Sequence, residues 1–101
     1  MRQPPSVFDG EPFSPAHAKR IIRTCLGAGG VVIFTKHARV ELANDQMTEQ
    51  DALNVLRGGI VTHDGYQGSS HRYQVNTSRF CVVVAFDSKT ETIVVTAWRR
   101  S

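Results

Sequence analysis

The sequence has few cysteines, no long hydrophobic run and none of the common catalytic templates, and each lack removes a class of protein. Its two cysteines, Cys25 and Cys81, are too far apart for a CxxC motif and too few for a secreted disulfide scaffold. No apolar run approaches the ~20 residues of a membrane span; the longest, Cys81 to Phe86, has the length of a strand. Met1-Arg2-Gln3-Pro4-Pro5 lacks the apolar stretch of a secretory signal. Repeats and low-complexity tracts are absent. His17, His37, His63 and His71 are scattered along the chain without HxxxH or HExxH spacing, so no metal template and no cofactor is expected. The glycines of Gly27-Ala28-Gly29-Gly30 precede a strand, the wrong context for cradling a phosphate, and no Ser or Cys sits in a nucleophile elbow. What remains is a small cytoplasmic domain. Its 101 residues suffice for one modest core, and 41% hydrophobic against 21% charged residues argues against wholesale disorder.

The residues present predict a definite order of elements. Three of the four prolines fall in the first 13 residues, which predicts an extended N-terminal arm over 1–13, followed by a single domain over 14–101. Ser14-Pro15 starts a helix, with Ser as N-cap and Pro where its missing N–H is harmless. Ala18, Ile21, Ile22, Cys25 and Leu26 then form one apolar stripe, and Gly27 ends it. Val31 to Phe34 reads as a short strand, and Thr35 can cap a second helix over roughly 36–43. Thr48-Glu49-Gln50-Asp51 is a capping-box variant starting a third helix that buries Ala52, Leu53 and Leu56 and stops at Gly58-Gly59, with Met47 as a staple against Ala52. Beyond Gly59 the period changes to two, giving strands over 59–66, 71–77, 80–86 and 92–98. In the second of these, His71, Tyr73, Val75 and Thr77 share one face and Arg72, Gln74 and Asn76 the other. The expected class is α+β, with N-terminal helices packed on one face of a curved, mainly antiparallel sheet of four to five strands.

Charge is unevenly distributed. The total is +3, yet residues 16–42 carry a net +4, residues 43–66 a net −3 and residues 67–101 a net +3. Basic groups on adjacent elements favour a phosphate-facing patch, although solvated faces of ordinary proteins reach similar values. His37 lies between Lys36 and Arg39 at a strand-to-helix junction. His71, Arg72, Tyr73 and Arg79 lie on or beside strands, and Trp98-Arg99 closes the last one. Metal-independent RNA cleavage needs such a mixture: a base for the ribose 2′-OH, an acid for the leaving 5′-oxygen, and cations for the charge that develops at phosphorus. Imidazole suits the proton transfers, and an aromatic ring can stack on an unpaired base.

The run Phe34-Thr35-Lys36-His37-Ala38-Arg39-Val40-Glu41-Leu42, followed by Met47-Thr48 and Asp51 to Leu56, resembles the family catalogued as domain of unknown function 4258, with its "His-Ala" helix. Arg72-Tyr73-Gln74-Val75, Cys81 to Ala85 and Ile93 to Ala97 extend the resemblance over about residues 31–98. The family is regarded as a relative of RelE-type toxins in the barnase/EndoU/colicin/RelE group of ribonuclease-like folds. The resemblance therefore implies a RelE-like domain whose concave sheet face holds RNA, mRNA alone or on the ribosome, and an antitoxin protein as partner. It implies His37 as acid or base, Arg72 and Tyr73 as strand-borne site residues, Thr96 as a polar group on the last strand and Arg39 as the residue after the "His-Ala" pair. Together with the reading of the residues themselves, the expected catalytic set is His37, Arg72, Tyr73 and Arg79, and the expected RNA contacts are Lys36, Arg39, His71, Thr96, Trp98 and Arg99. One departure is visible: relatives often carry a second basic residue shortly after the "His-Ala" segment, and Leu42-Ala43-Asn44-Asp45-Gln46 has none.

Two functions stay open on the sequence. One is a metal-independent endoribonuclease toxin acting by 2′-OH transesterification. The other is a non-catalytic RNA- or protein-binding module on the same fold. An enzyme requires His37, Arg72 and Tyr73 in one cleft, whereas a binding module can hold them on different faces.

Overall fold

The computed structural model of the chain describes residues 10–68 and 70–100, so most of the expected 1–13 arm lies outside the described residues. Each helix begins where the sequence supplies an oxygen for its orphan N–H groups. Ser14 accepts from the His17 N–H to start α1 (Pro15–Leu26), and Thr35 accepts from Ala38 N–H to start α2 (Lys36–Asn44). Thr48 and Asp51 exchange both bonds of a capping box at the head of α3 (Glu49–Gly58). The burial of Ala18, Ile21, Ile22 and Cys25 on α1 follows the stripe, and Met47 and Ala52 are both buried as the staple requires. On α3 the inward residues are Ala52, Val55 and Leu56, while Leu53 is only partly covered. The Lys19 ammonium on α1 donates to the Leu56 and Gly59 carbonyls at 3.1 and 2.7 Å, joining α1 to the end of α3. Burial and the nearby Arg23 lower the pKa of that ammonium.

The strands are β1 (Val31–Phe34), β2 (Ile60–Gln67), β3 (Ser70–Asn76), β4 (Phe80–Ser88) and β5 (Glu91–Arg99). They form one sheet in the order β1-β5-β4-β3-β2. β2 to β5 run as an antiparallel meander, and β1 pairs parallel to β5 at the edge, so the sheet is mixed. This confirms the expected α+β class. Gly59 lets α3 pass straight into β2: a Cβ there would stand 2.7 Å from both the Val55 oxygen and Val75 Cγ1. Gly65, at φ +107°, accommodates the irregularity that shifts the β2–β3 register between His63 and Gly65.

α1 and α3 pack on one side of the sheet, and α2 packs against β5 with Ala38 and Leu42 in the same core. Phe34, Val61, Tyr73, Val75, Val82, Val84, Phe86, Val94 and Ala97 point into the core with the helix stripes and with Phe13. Cys81, Val83 and Ala85 are buried too, but outside that core cluster. They alternate with the core-facing residues of β4 and so occupy the other side. No helix covers this second face among the described residues, and Val31, Ile33, Ile60 and Trp98 remain exposed there. This asymmetry positions the candidate site.

Candidate nucleic-acid interface

The pleat of β3 divides the predicted site residues. Arg72 faces the uncovered side together with Gln74 and Asn76, and the register carries this row across the sheet. Gln74 lies opposite Val83, which lies opposite Thr96; Asn76 lies opposite Cys81, which lies opposite Trp98. Arg72, Thr96 and Trp98 therefore share one surface. The Arg72 Nε is buried without a hydrogen-bond partner, an expensive state for a guanidinium donor. Trp98 is 38% exposed, which leaves much of its indole open to solvent. Between these two residues, Asn76 donates to Gln74 at 3.1 Å and Gln74 to Asp64 at 3.0 Å, a line of polar groups along β3. The charge of this face is mixed, with Arg72 against Asp64.

The head of α2 adjoins the same surface. The Thr35 N–H donates to the Val94 carbonyl at 3.1 Å and its hydroxyl to the Val95 carbonyl at 3.3 Å. Those contacts pin the helix N-terminus to the β5 irregularity next to Thr96, where Val83 and Val84 oppose Thr96 and Val94. Lys36 and His37 stand exposed in the first turn, at the positive end of the helix dipole. Side chains four apart share one side of a helix, so Glu41 lies one turn after His37 on the same side of α2, and among the described residues no ion pair joins them. Arg39 projects to the other side and pairs with Glu49 at 3.3 Å.

The remaining predicted residues lie elsewhere. Tyr73 is fully buried on the helix side of β3; its hydroxyl donates to Glu11 Oε2 at 2.8 Å and accepts from the Phe13 N–H at 3.0 Å. Burial raises its pKa strongly, and the Glu11 carboxylate adds to the rise. His71 lies on that same side. Arg79 and Arg99 flank the Phe80 ring, with guanidinium carbons 5.6 and 5.0 Å from its centre. The Arg99 side chain donates to the carbonyls of Asp45 and Gln46 at 3.2 and 3.0 Å, tying the α2–α3 connection to the end of β5. His37, Arg72 and Tyr73 thus do not share one cleft: α2 packs on β5, two strand spacings or about 10 Å from β3, and Tyr73 points away from Arg72.

Sequence reasoning passed over two features. Glu41 was hidden as an ordinary helix carboxylate, although its i+4 spacing from His37 was readable. His63 and His71 are not scattered: His63 Nε2 and His71 Nδ1 stand 3.0 Å apart across β2 and β3. Alternation within each strand was legible, but the diagonal meeting of the two rings depends on the pairing that sets His63 opposite Tyr73. Among the described residues no group of three or more His, Cys, Asp or Glu side chains could hold a metal ion, and no helix is long and apolar enough to cross a membrane.

Compared with known proteins, residues 34–99 match the family described as Domain of unknown function (DUF4258). The match begins at the last residue of β1 and takes in α2, α3 and the whole meander. No curated protein and no solved structure matches the chain.

Proposed function

The chain belongs to the DUF4258 family, and from that premise we propose that it is an RNA-binding domain of RelE-like type, which grips a single-stranded segment on the uncovered sheet face. The observation that carries this reading is the placement of Arg72, whose buried Nε has no hydrogen-bond partner, on the same sheet face as the exposed Trp98. An indole offers a base a stacking platform, Arg72 offers a phosphate two or more donors, and the head of α2 with Lys36 and His37 offers a second anion site. Unpaired RNA fits best, because its bases can splay onto a ring and its backbone can cross a shallow sheet. In a toxin–antitoxin setting, a neutralising protein would cover this same face and its exposed Ile33 and Trp98.

A second reading, cleavage, rests on the position of His37 beside that face with Glu41 one turn on. The pair would act as acid and base. One group takes the 2′-OH proton, the 2′-oxygen attacks phosphorus, and the other protonates the departing 5′-oxygen, leaving a 2′,3′-cyclic phosphate. Tyr73 has no part in this chemistry, since its phenol is buried and engaged.

Titrating fluorescent unstructured RNA into the protein, while following its integrity on gels, tests both readings. Binding that weakens in Arg72→Ala and Trp98→Ala, with intact RNA throughout, supports the binding module. Cleavage lost in His37→Ala supports the enzyme. If the wild-type chain neither binds nor cleaves, both readings fall.

A further inference from the structure

On the helix side of the sheet, at the β2–β3 edge, the pairing brings two imidazoles together. His63 lies opposite Tyr73 and His71 opposite Tyr66, so the two histidines are diagonal neighbours on one face. Their rings stand 5.1 Å apart between two tyrosines, with Tyr73 edge-on to His63 at 5.5 Å and Tyr66 edge-on to His71 at 4.8 Å. His63 is exposed and His71 half-exposed, so both ring nitrogens can be approached from solvent. The RNA-binding reading uses neither His63 nor the His63–His71 contact.

We propose that His63 and His71 form a two-imidazole site for a divalent late transition-metal ion, with copper(II) and nickel(II) as the best fit. The argument is geometric. Two nitrogens 3.0 Å apart, each about 2.05 Å from a metal, subtend an angle of about 94° at it. That is close to the right angle of tetragonal copper and nickel sites; a tetrahedral zinc ion would need the nitrogens roughly 0.3 Å further apart. The metal sits about 43° off the line between the nitrogens at each of them, so both rings turn from their hydrogen-bonded setting to aim their lone pairs, a motion open to side chains at the surface. In the free neutral pair one ring donates its N–H to the other. On binding, that ring shifts its proton to its second nitrogen, so both facing nitrogens become ligands and no proton is lost. The Glu11 carboxylate, hydrogen-bonded to the Tyr73 hydroxyl beneath His63, adds a negative charge on the same face. With two protein ligands, the remaining coordination positions are open to water or to a further ligand.

The test is calorimetric titration of the full chain with copper(II) chloride and with nickel(II) chloride. His63→Ala, His71→Ala and the control His17→Gln are run alongside, and far-UV circular dichroism confirms that each variant is folded. One-to-one binding is expected, weakened at least tenfold in each of the first two variants and unchanged in the control. In amide spectra of the wild-type chain, nickel(II) should broaden His63, Tyr66 and His71 first, a readout that needs no variant. Absence of binding, equal affinity in His63→Ala and wild type, or broadening centred on His17 or His37 would overturn the assignment.

Discussion

Arg72 and Tyr73 are adjacent in β3 yet serve opposite faces of the sheet. The guanidinium has its Nε buried without a partner on the uncovered face, and the phenol is locked between Glu11 and the Phe13 N–H in the core. The two should respond differently to substitution. Tyr73→Phe strands a buried N–H and should cost about 1–3 kcal/mol of stability, read by urea or thermal unfolding, with RNA affinity unchanged.

Arg72→Leu should do the reverse. Removing an unsatisfied donor and filling its place with apolar volume leaves stability equal or slightly higher. RNA binding weakens for all sequences, and the slope of log affinity against log salt falls by about 1, because one phosphate contact is lost. Titrations at three or more salt concentrations measure this. An unchanged slope would place the phosphate contact elsewhere.

Trp98→Ala should weaken binding of unpaired RNA by roughly 5- to 150-fold, the equivalent of ~1–3 kcal/mol for one stacked base. Indole fluorescence supplies a direct readout, since Trp98 is the protein's single tryptophan. Quenching on RNA addition should track binding, and a silent indole would argue against stacking.

Arg99 reads from sequence as an RNA contact, but in the fold its side chain holds the Asp45 and Gln46 carbonyls. Arg99→Ala should therefore lower stability by about 0.5–1.5 kcal/mol and speed amide exchange around residues 45–47. RNA affinity should change less than in Arg72→Leu.

Cys81 supplies a pH test. Burial is the main cause that pushes its thiol up from 9.0 to about 11, and the Asp64 carboxylate adds to the rise. Because the folded pKa lies above the unfolded one, this stability is fully present below pH 9 and is lost as pH rises towards about 11. Tyr73, also raised, adds a loss of the same sign beginning near pH 10. Unfolding free energies measured from pH 8 to 11 should fall, and Cys81→Ala should flatten the earlier part of that decline.

The local code was almost wholly legible. Ser14, Thr35 and Thr48 mark the three helix starts because a side-chain oxygen must meet the first free N–H groups, and the structure begins each helix one residue later. The two-residue period of β3 alone places Arg72 and Tyr73 on opposite faces, because alternation is a property of the strand itself. What sequence could not supply was which distant strands meet. The parallel pairing of β1 with β5 joins residues some sixty positions apart, and it alone sets the head of α2 beside Thr96. The β2–β3 register, which sets His63 opposite Tyr73, likewise decides that His63 touches His71.

The sequence by itself determined the α+β class, the helix caps, the core stripes and the family to which residues 34–99 belong. These follow from short-range hydrogen bonding and from the burial of periodic apolar residues, which need no knowledge of partners. The tertiary structure alone decided the grouping of the charged and aromatic residues. It gathered Arg72, Thr96 and Trp98 on an open face with Lys36 and His37 at its margin, withdrew Tyr73 into the core, and turned Arg99 into a clasp. Charge and aromaticity say what a side chain can do, but strand order and register decide which others it can act with.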